Sequence, residues 1–590
     1  MNISQASMSS TTRFVLTMGA IYGALSLGCV LDDNNEPGED NNPTTNNPTT
    51  NNPTGGDCNQ VLDASFEFGS DTTVCGNVTV TSNVRLQDSE SLTILPGTTV
   101  TMCVDCYIEV GAFGNAATLR AVGTAEKPIV FKGSTEEAGF WDGIYFKGNA
   151  TSNSTLEYVT IKDAGSDEAA LYVDRAIALK HITIKDSASS GLEAIELDED
   201  SIDLNVESVE KWAAVLTGAE AVTNLPVDGD LTRNIGEGSI RVDAANADGK
   251  VLRFKDAGIP YFIGTNIRLV ADETMVVEAG VTLEMGVDMY IEIGAFGNAA
   301  TLNVEGTSAN PVVIEGATAE AGFWDGLYVK PTATGASSID YLTVRHGGGS
   351  DSACVNIERD ITIKNLSIEV CETAGFEVGD AGFGSGSEAI SVSGVEGSSG
   401  IASWNGALTI PKGGDFTGNE SDEIAISGGS ADTNGTLPSL GVPYVSNSHW
   451  RLTNDASITV EPGVEIAFGP DKYIEVGAFG NASTFVAVGS ALEPIIFTGT
   501  DPSAGSWGGV YLNANVTSST KLDYVQISYG GTASESNLEI RGVGEVTNCV
   551  LSNSAGYGII IETSSTITAD LSASNTFSGN AEGDINDKRD

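Results

Sequence analysis

The chain writes one phrase three times: YIEVGAFGNAATL from Tyr107 to Leu119, YIEIGAFGNAATL from Tyr290 to Leu302 and YIEVGAFGNASTF from Tyr473 to Phe485, at steps of 183 residues. The same step carries Gly97 to Gly280 and Gly463, Trp141 to Trp324 and Trp507, and Gly165 to Gly348 and Gly531. A strict internal period outranks the several unrelated domains that 590 residues would otherwise suggest. Within a copy, short runs such as LTILPG, TVTM, YIEV, PIVFKG and LEYVTIKD alternate apolar β-branched residues with polar ones, and Gly, Asn, Asp or Pro ends each run. Helical periodicity is absent after residue 30.

Strands of this length suit a sandwich, a propeller or a solenoid, and the copies discriminate among them. NIGEGSI (Asn234 to Ile240), NESDEI (Asn419 to Ile424) and NAEGDI (Asn580 to Ile585) read as one element seen three times, with the last interval 24 residues shorter than the one before. Loss of a complete coil explains this, since a propeller blade of about 40–45 residues cannot be dropped without breaking closure. The repeats are drawn at 58–240, 241–424 and 425–590. About 21 or 22 coils at about 4.8 Å each would rise roughly 100 Å. If each repeat holds a whole number of coils, the three GAFGNA turns lie on one side of the solenoid, roughly 34–38 Å apart.

The pattern LTILPGTTV, then LRAVGTAEKPIVFKG, FWDGIYF and LEYVTIKDAG resembles the right-handed parallel β-helix proteins of the pectin-lyase-like superfamily, in particular large bacterial surface forms. The resemblance spans residues 60–590 and implies an all-β, right-handed parallel β-helix. Enzymes of the superfamily act on acidic polysaccharides with clustered Asp residues, often beside Arg or Lys or bound calcium. The polygalacturonase set is missing here: RHGGG at Arg345–Gly349 comes nearest, and KDAGS and SYGGT in the other copies lack its His. His181, His346 and His449 share no repeat position and read as ordinary loop or strand residues.

The recurring acids and aromatics are the better candidates. Glu109, Glu292 and Glu475 hold one position of the phrase, whereas Asp142 and Asp325 give way to Gly508. Alternation places Ile108 and Val110 inward and Glu109 outward, either as a plain polar surface residue or as a ligand contact. Phe113, Phe296 and Phe479 lie between two glycines, where the ring either tucks against the wall or stands out as a stacking platform for a sugar. Trp141, Trp324 and Trp507 open apolar strands and read as packing residues.

Cysteine usage suggests an oxidising compartment. Cys58, Cys75, Cys103 and Cys106 cluster near the start of the solenoid, where they either staple its cap in one of three pairings or form a four-Cys zinc site. Cys354 and Cys371 are spaced to bridge neighbouring coils, and Cys549 reads as a buried free thiol.

The N-terminus has the build of an export signal (1–28), with the apolar run FVLTMGAIYGALSLG ending at Cys29. LSLGC resembles a bacterial lipobox, which implies lipidation of Cys29; Val30 after it suggests the outer membrane. Residues 29–57, rich in Asn-Asn-Pro-Thr, cannot build a core and read as a disordered tether. Lys+Arg 28 against Asp+Glu 80 gives a formal net charge of −52, which opposes nucleic acid or anionic lipid binding through a basic patch. Scattered carboxylates without a D-x-D-x-D-G loop read as a solubilised acidic face that calls for no cofactor, with calcium sites as the alternative.

The sequence thus reads as a lipid-anchored bacterial surface protein, structural or adhesive and non-catalytic, whose partners are the membrane and a polysaccharide or another cell surface. The alternative is a polysaccharide lyase or glycoside hydrolase with a single site in an unrepeated part of one copy.

Overall fold

The computed structural model describes residues 58–350, 353–532 and 535–589. The expected signal segment (1–28) and the expected tether (29–57), with Cys29, lie outside the described residues.

In strand Tyr107–Val110, Ile108 and Val110 are buried while Tyr107 and Glu109 face outward. Ile108 pairs in parallel with Val84 on one side and Ile144 on the other, Ile144 with Leu171, and Leu171 with Leu192. These five buried aliphatics form one inward column, and burying a side chain of this size contributes about 1.5–3 kcal/mol. The ladders between the strands are parallel, and the chain winds right-handedly through about 21 turns. Single residues in the left-handed region turn the corner between two faces. Tyr158 (φ 49°), His181 (φ 57°) and Asp203 (φ 53°) do so in successive coils. Before Tyr158, Thr155–Glu157 pairs with the strand Thr118–Val122; after it, Val159–Ile161 pairs with Ile129–Gly133.

The expectation of a whole number of coils per repeat is wrong. The stack holding Tyr107–Val110 continues through Gly143–Phe146, Leu171–Val173, Leu192–Ala194, Ala214–Leu216, Ile240–Val242 and Tyr261–Ile263 to Thr282–Met285. Thr282–Met285 is the 183-residue equivalent of Thr99–Met102, the strand before the phrase. The second phrase strand, Tyr290–Ile293, lies instead in a new stack opened by Ile267–Leu269. The shift recurs: the stack of Tyr290–Ile293 meets Glu465–Phe468 in the third copy, and Tyr473–Val476 joins a further stack with Trp450–Arg451.

One repeat is therefore seven turns plus one face. Coil length explains why the period does not reveal this: consecutive paired residues are 21 apart at Tyr172 and Glu193 but 36 apart at Glu109 and Tyr145. At the first seam the short helix Ala219–Thr223 interrupts the strands, and Val251–Phe254 begins a stack against it, with Thr223 Oγ1 donating to the Val251 carbonyl at 2.9 Å. The helix Trp404–Ala407 and the strand Gly435–Leu437 repeat the arrangement at the second seam.

The phrase-bearing stack has seven strands in the first copy (Val84–Leu86 to Ile240–Val242) and seven in the second (Ile267–Leu269 to Ser421–Gly428). It has six in the third (Trp450–Arg451 to Gly583–Asp587). The residues missing from the third copy amount to one complete coil. Trp141, Trp324 and Trp507 are fully buried, and their indole nitrogens donate to the carbonyls of Lys162, Arg345 and Ser528 at 2.7–2.8 Å. Disulfides join Cys58 to Cys75, Cys103 to Cys106 and Cys354 to Cys371, while Cys549 is free and buried.

Candidate functional site

Each phrase ends its strand in a turn whose backbone fixes what the Phe can do. Gly111 takes φ 81°, and a Cβ there would come within 2.6 Å of the Ala150 nitrogen in the next coil, so the chain bends only at glycine. Ala112 is buried. Phe113, Phe296 and Phe479 then adopt φ 55°, 54° and 56°, a left-handed conformation rare for bulky residues. Their rings are 75, 79 and 80 % exposed. Of the two readings the sequence left open, the rings stand out rather than tuck against the wall.

An arginine from the preceding coil completes the constellation. Arg85 lies 4.9 Å from the ring of Tyr107 and 5.9 Å from that of Phe113, and its Nε is 3.5 Å from Glu109. Arg268 repeats this against Tyr290 (4.9 Å), Phe296 (5.9 Å) and Glu292 (3.9 Å). Arg451 does so against Tyr473 (5.3 Å), Phe479 (5.8 Å) and Glu475 (3.3 Å). Arg268 and Arg451 also donate to the Tyr290 and Tyr473 hydroxyls. Glu109, Glu292 and Glu475 thus lie on the outer face but are half-buried and ion-paired.

In the next coil the outward column continues as Tyr145, Tyr328 and Tyr511, each paired in register with the phrase glutamate. Burial, with Asp142 and Glu168 nearby, pushes the Tyr145 hydroxyl well above its ordinary pKa, so it remains a hydrogen-bond donor. A cavity of about 360 Å³ lies beside the second platform, lined in part by Asn246, Asn266, Arg268, Phe296 and Asn298.

Glu and Phe therefore meet within each copy, and the three copies stand in three separate sheets. The sequence reading missed Arg85, Arg268 and Arg451, although their 183-residue spacing was there to find them. Of the other candidates, His449 touches the third platform through Tyr473, and the rest make their contacts elsewhere. Asp142 and Asp325 accept hydrogen bonds from Ser166 and Ser350. His181 stacks on Tyr158 (4.3 Å) and bonds Asp203 at 2.7 Å, a half-buried corner pair that holds the Asp203 carboxyl below its usual range. His346 has a buried Nδ1 with no partner, and His449 packs on Tyr473 at 3.9 Å. Among the described residues no group of three or more His, Cys, Asp or Glu is placed to hold a metal ion.

Parallel coils with inward aliphatic columns and outward polar and aromatic rows define the class of a parallel β-solenoid. Residues 70–172 and 431–543 match the family model described as a pectate-lyase-like β-helix domain, and the described chain has the right-handed parallel β-helix fold that this match implies. Those segments cover much of the first and third phrase-bearing regions, and the second copy repeats the pattern between them. No curated protein and no solved structure matches the chain.

Proposed function

We propose that the chain is a non-catalytic surface protein that binds polysaccharide through three copies of one platform. The observation that carries this is the Phe of the GAFG turn. A bulky residue in a left-handed conformation and three-quarters exposed or more gains the fold no more from its exposed contact with arginine than it costs in backbone strain, yet the same choice is made three times. An exposed aromatic face suits the C–H face of a sugar ring, and the surrounding Arg, Glu, Tyr hydroxyl and Asn side chains suit its hydroxyls. The family match supports polysaccharide as the ligand class. Glycoside hydrolysis by paired carboxylates needs two such groups flanking the bond, and each platform presents one phrase glutamate, already paired with arginine. Lipid anchoring at Cys29 and an outer-membrane or cell-surface location belong to the same proposal and rest on the LSLGC motif.

The test is a glycan-array screen of the mature chain, with and without calcium, alongside assays for unsaturated and reducing sugar ends. Retention without product supports the proposal. Product release would move the assignment to a lyase or hydrolase, and no retention at all would defeat it.

A further inference from the structure

We infer that the protein bridges separate uncharged glycan chains, each platform taking its own strand. This rests on the polysaccharide-binding reading above and adds the charge of the ligand and the geometry of its capture.

The geometry follows from the one-face step. A stiff polymer laid on the first platform and running along the solenoid axis stays over the stack of Tyr107–Val110. Seven turns later, about 34 Å along at about 4.8 Å per coil, it meets Thr282–Met285, whereas Phe296 follows strand Tyr290–Ile293 in another sheet. The third platform is displaced again in the same sense, with Tyr473–Val476 outside the stack that holds Tyr290–Ile293. Three equivalent sites that do not share a stack cannot line up under one straight chain. They can hold separate chains at fixed spacing.

The charge follows from the platforms and from the molecule as a whole. In each copy the arginine facing the rings is met by its own glutamate, and Lys147, Lys330 and Arg541 over the next tyrosines are met by Glu168, Glu358 and Glu539. The first two platforms therefore offer no unbalanced cation to a uronate or sulfate; the third adds Lys472 near His449. The surrounding surface belongs to a chain of net charge −52, which repels a polyanion that comes within the Debye length of about 8–10 Å left by salt screening. An uncharged glycan meets neither obstacle, and the exposed rings supply stacking that does not depend on charge.

The experiment uses the mature chain with soluble glucan, mannan and xylan as uncharged probes, polygalacturonate as the anionic probe, and an oligosaccharide of whichever polymer binds. Calorimetry should give three oligosaccharide sites in the wild type. That number should fall to two, one and none as Phe113, Phe296 and Phe479 are changed to Gly in turn, with unchanged affinity at the sites that remain. Light scattering should show the wild type joining several polymer molecules into one particle, and the double variants adding only their own mass to each polymer. Double variants that bridge as well as wild type would overturn the inference, as would a single oligosaccharide site in the wild type. So would preference for polygalacturonate or anionic vesicles, or self-association of the protein through the Phe positions in place of glycan binding. Binding of an uncharged polymer without bridging defeats this inference alone, whereas no binding of any glycan defeats the proposed function with it.

Discussion

Changing Phe296 to glycine separates the platform from the wall that carries it. Phe296 holds φ 54°, in a region that costs an L side chain about 1–2 kcal/mol. Glycine relieves that cost but frees the unfolded chain by about 0.5–1 kcal/mol. The ring is 79 % exposed, and its contact with Arg268, 5.9 Å away, is an exposed cation–π interaction of about 0.5–1 kcal/mol. These effects nearly cancel, so Phe296→Gly should leave local stability within about 1 kcal/mol of wild type.

Phe296→Ala keeps the strained backbone and loses the ring, and should fall about 0.5–1 kcal/mol below wild type. Ile291, five residues earlier and fully buried between Ile267 and Leu327, sets the contrast. Its change to Ala should cost about 2–5 kcal/mol. Because a solenoid's stability is shared among neighbouring coils, a global melt would blur the comparison. Hydrogen exchange in Ile267–Leu269, Tyr290–Ile293 and Gly326–Val329 resolves it. If Phe296→Gly speeds exchange in these strands as much as Ile291→Ala, the ring is a packing residue and the functional reading of the turn is refuted.

Ile291→Asp should be worse still, by several kcal/mol for a carboxylate among stacked aliphatics; Glu292→Ala should cost under about 1 kcal/mol, and the reverse order in denaturant titration would invert the assigned strand faces. Burial pushes the Cys549 thiol up to about 12, so it should resist a thiol reagent in the native protein and react after unfolding; rapid native labelling would contradict its place in the wall. Burial and nearby Arg451 and Lys472 hold His449 below the ordinary imidazole pKa. Its stabilising contribution is complete above the unfolded imidazole pKa and is lost as pH falls through it, so His449→Asn should reduce the drop in denaturant midpoint between about pH 7.5 and about pH 5.5. Asn83 and Asn266 occupy the same repeat position and accept from the Tyr107 and Tyr290 amides, so the replacement has local precedent. Cys29→Ser should leave the chain unlipidated, and full membrane partitioning of that variant at high salt would exclude the anchor.

Much of the fold was legible because the pleat writes a two-residue alternation into each strand: Ile108 inward and Glu109 outward follow from YIEV alone. The lost coil was legible as a missing block of sequence between two conserved landmarks of the repeat. The rotation of one copy against the next was not, because the period counts residues while rotation depends on how many each coil spends, and the corner at Tyr158 and the long excursion between Glu109 and Tyr145 spend them very differently. The platform was half legible. The phrase drew attention to Phe296 and Glu292 but not to Arg268, 22 residues before Tyr290, which only the stacking of coils brings over both rings.

The one-face step distinguishes two ways such a chain can change length. Gain or loss of a single coil, as in the third copy, leaves everything downstream facing the same way, so outward features keep their bearings. Unequal exchange between copies would add or delete 183 residues at once and turn every later feature by one face. Lineages that vary this molecule by coils would tune its height, and those that vary it by copies would redirect what it presents.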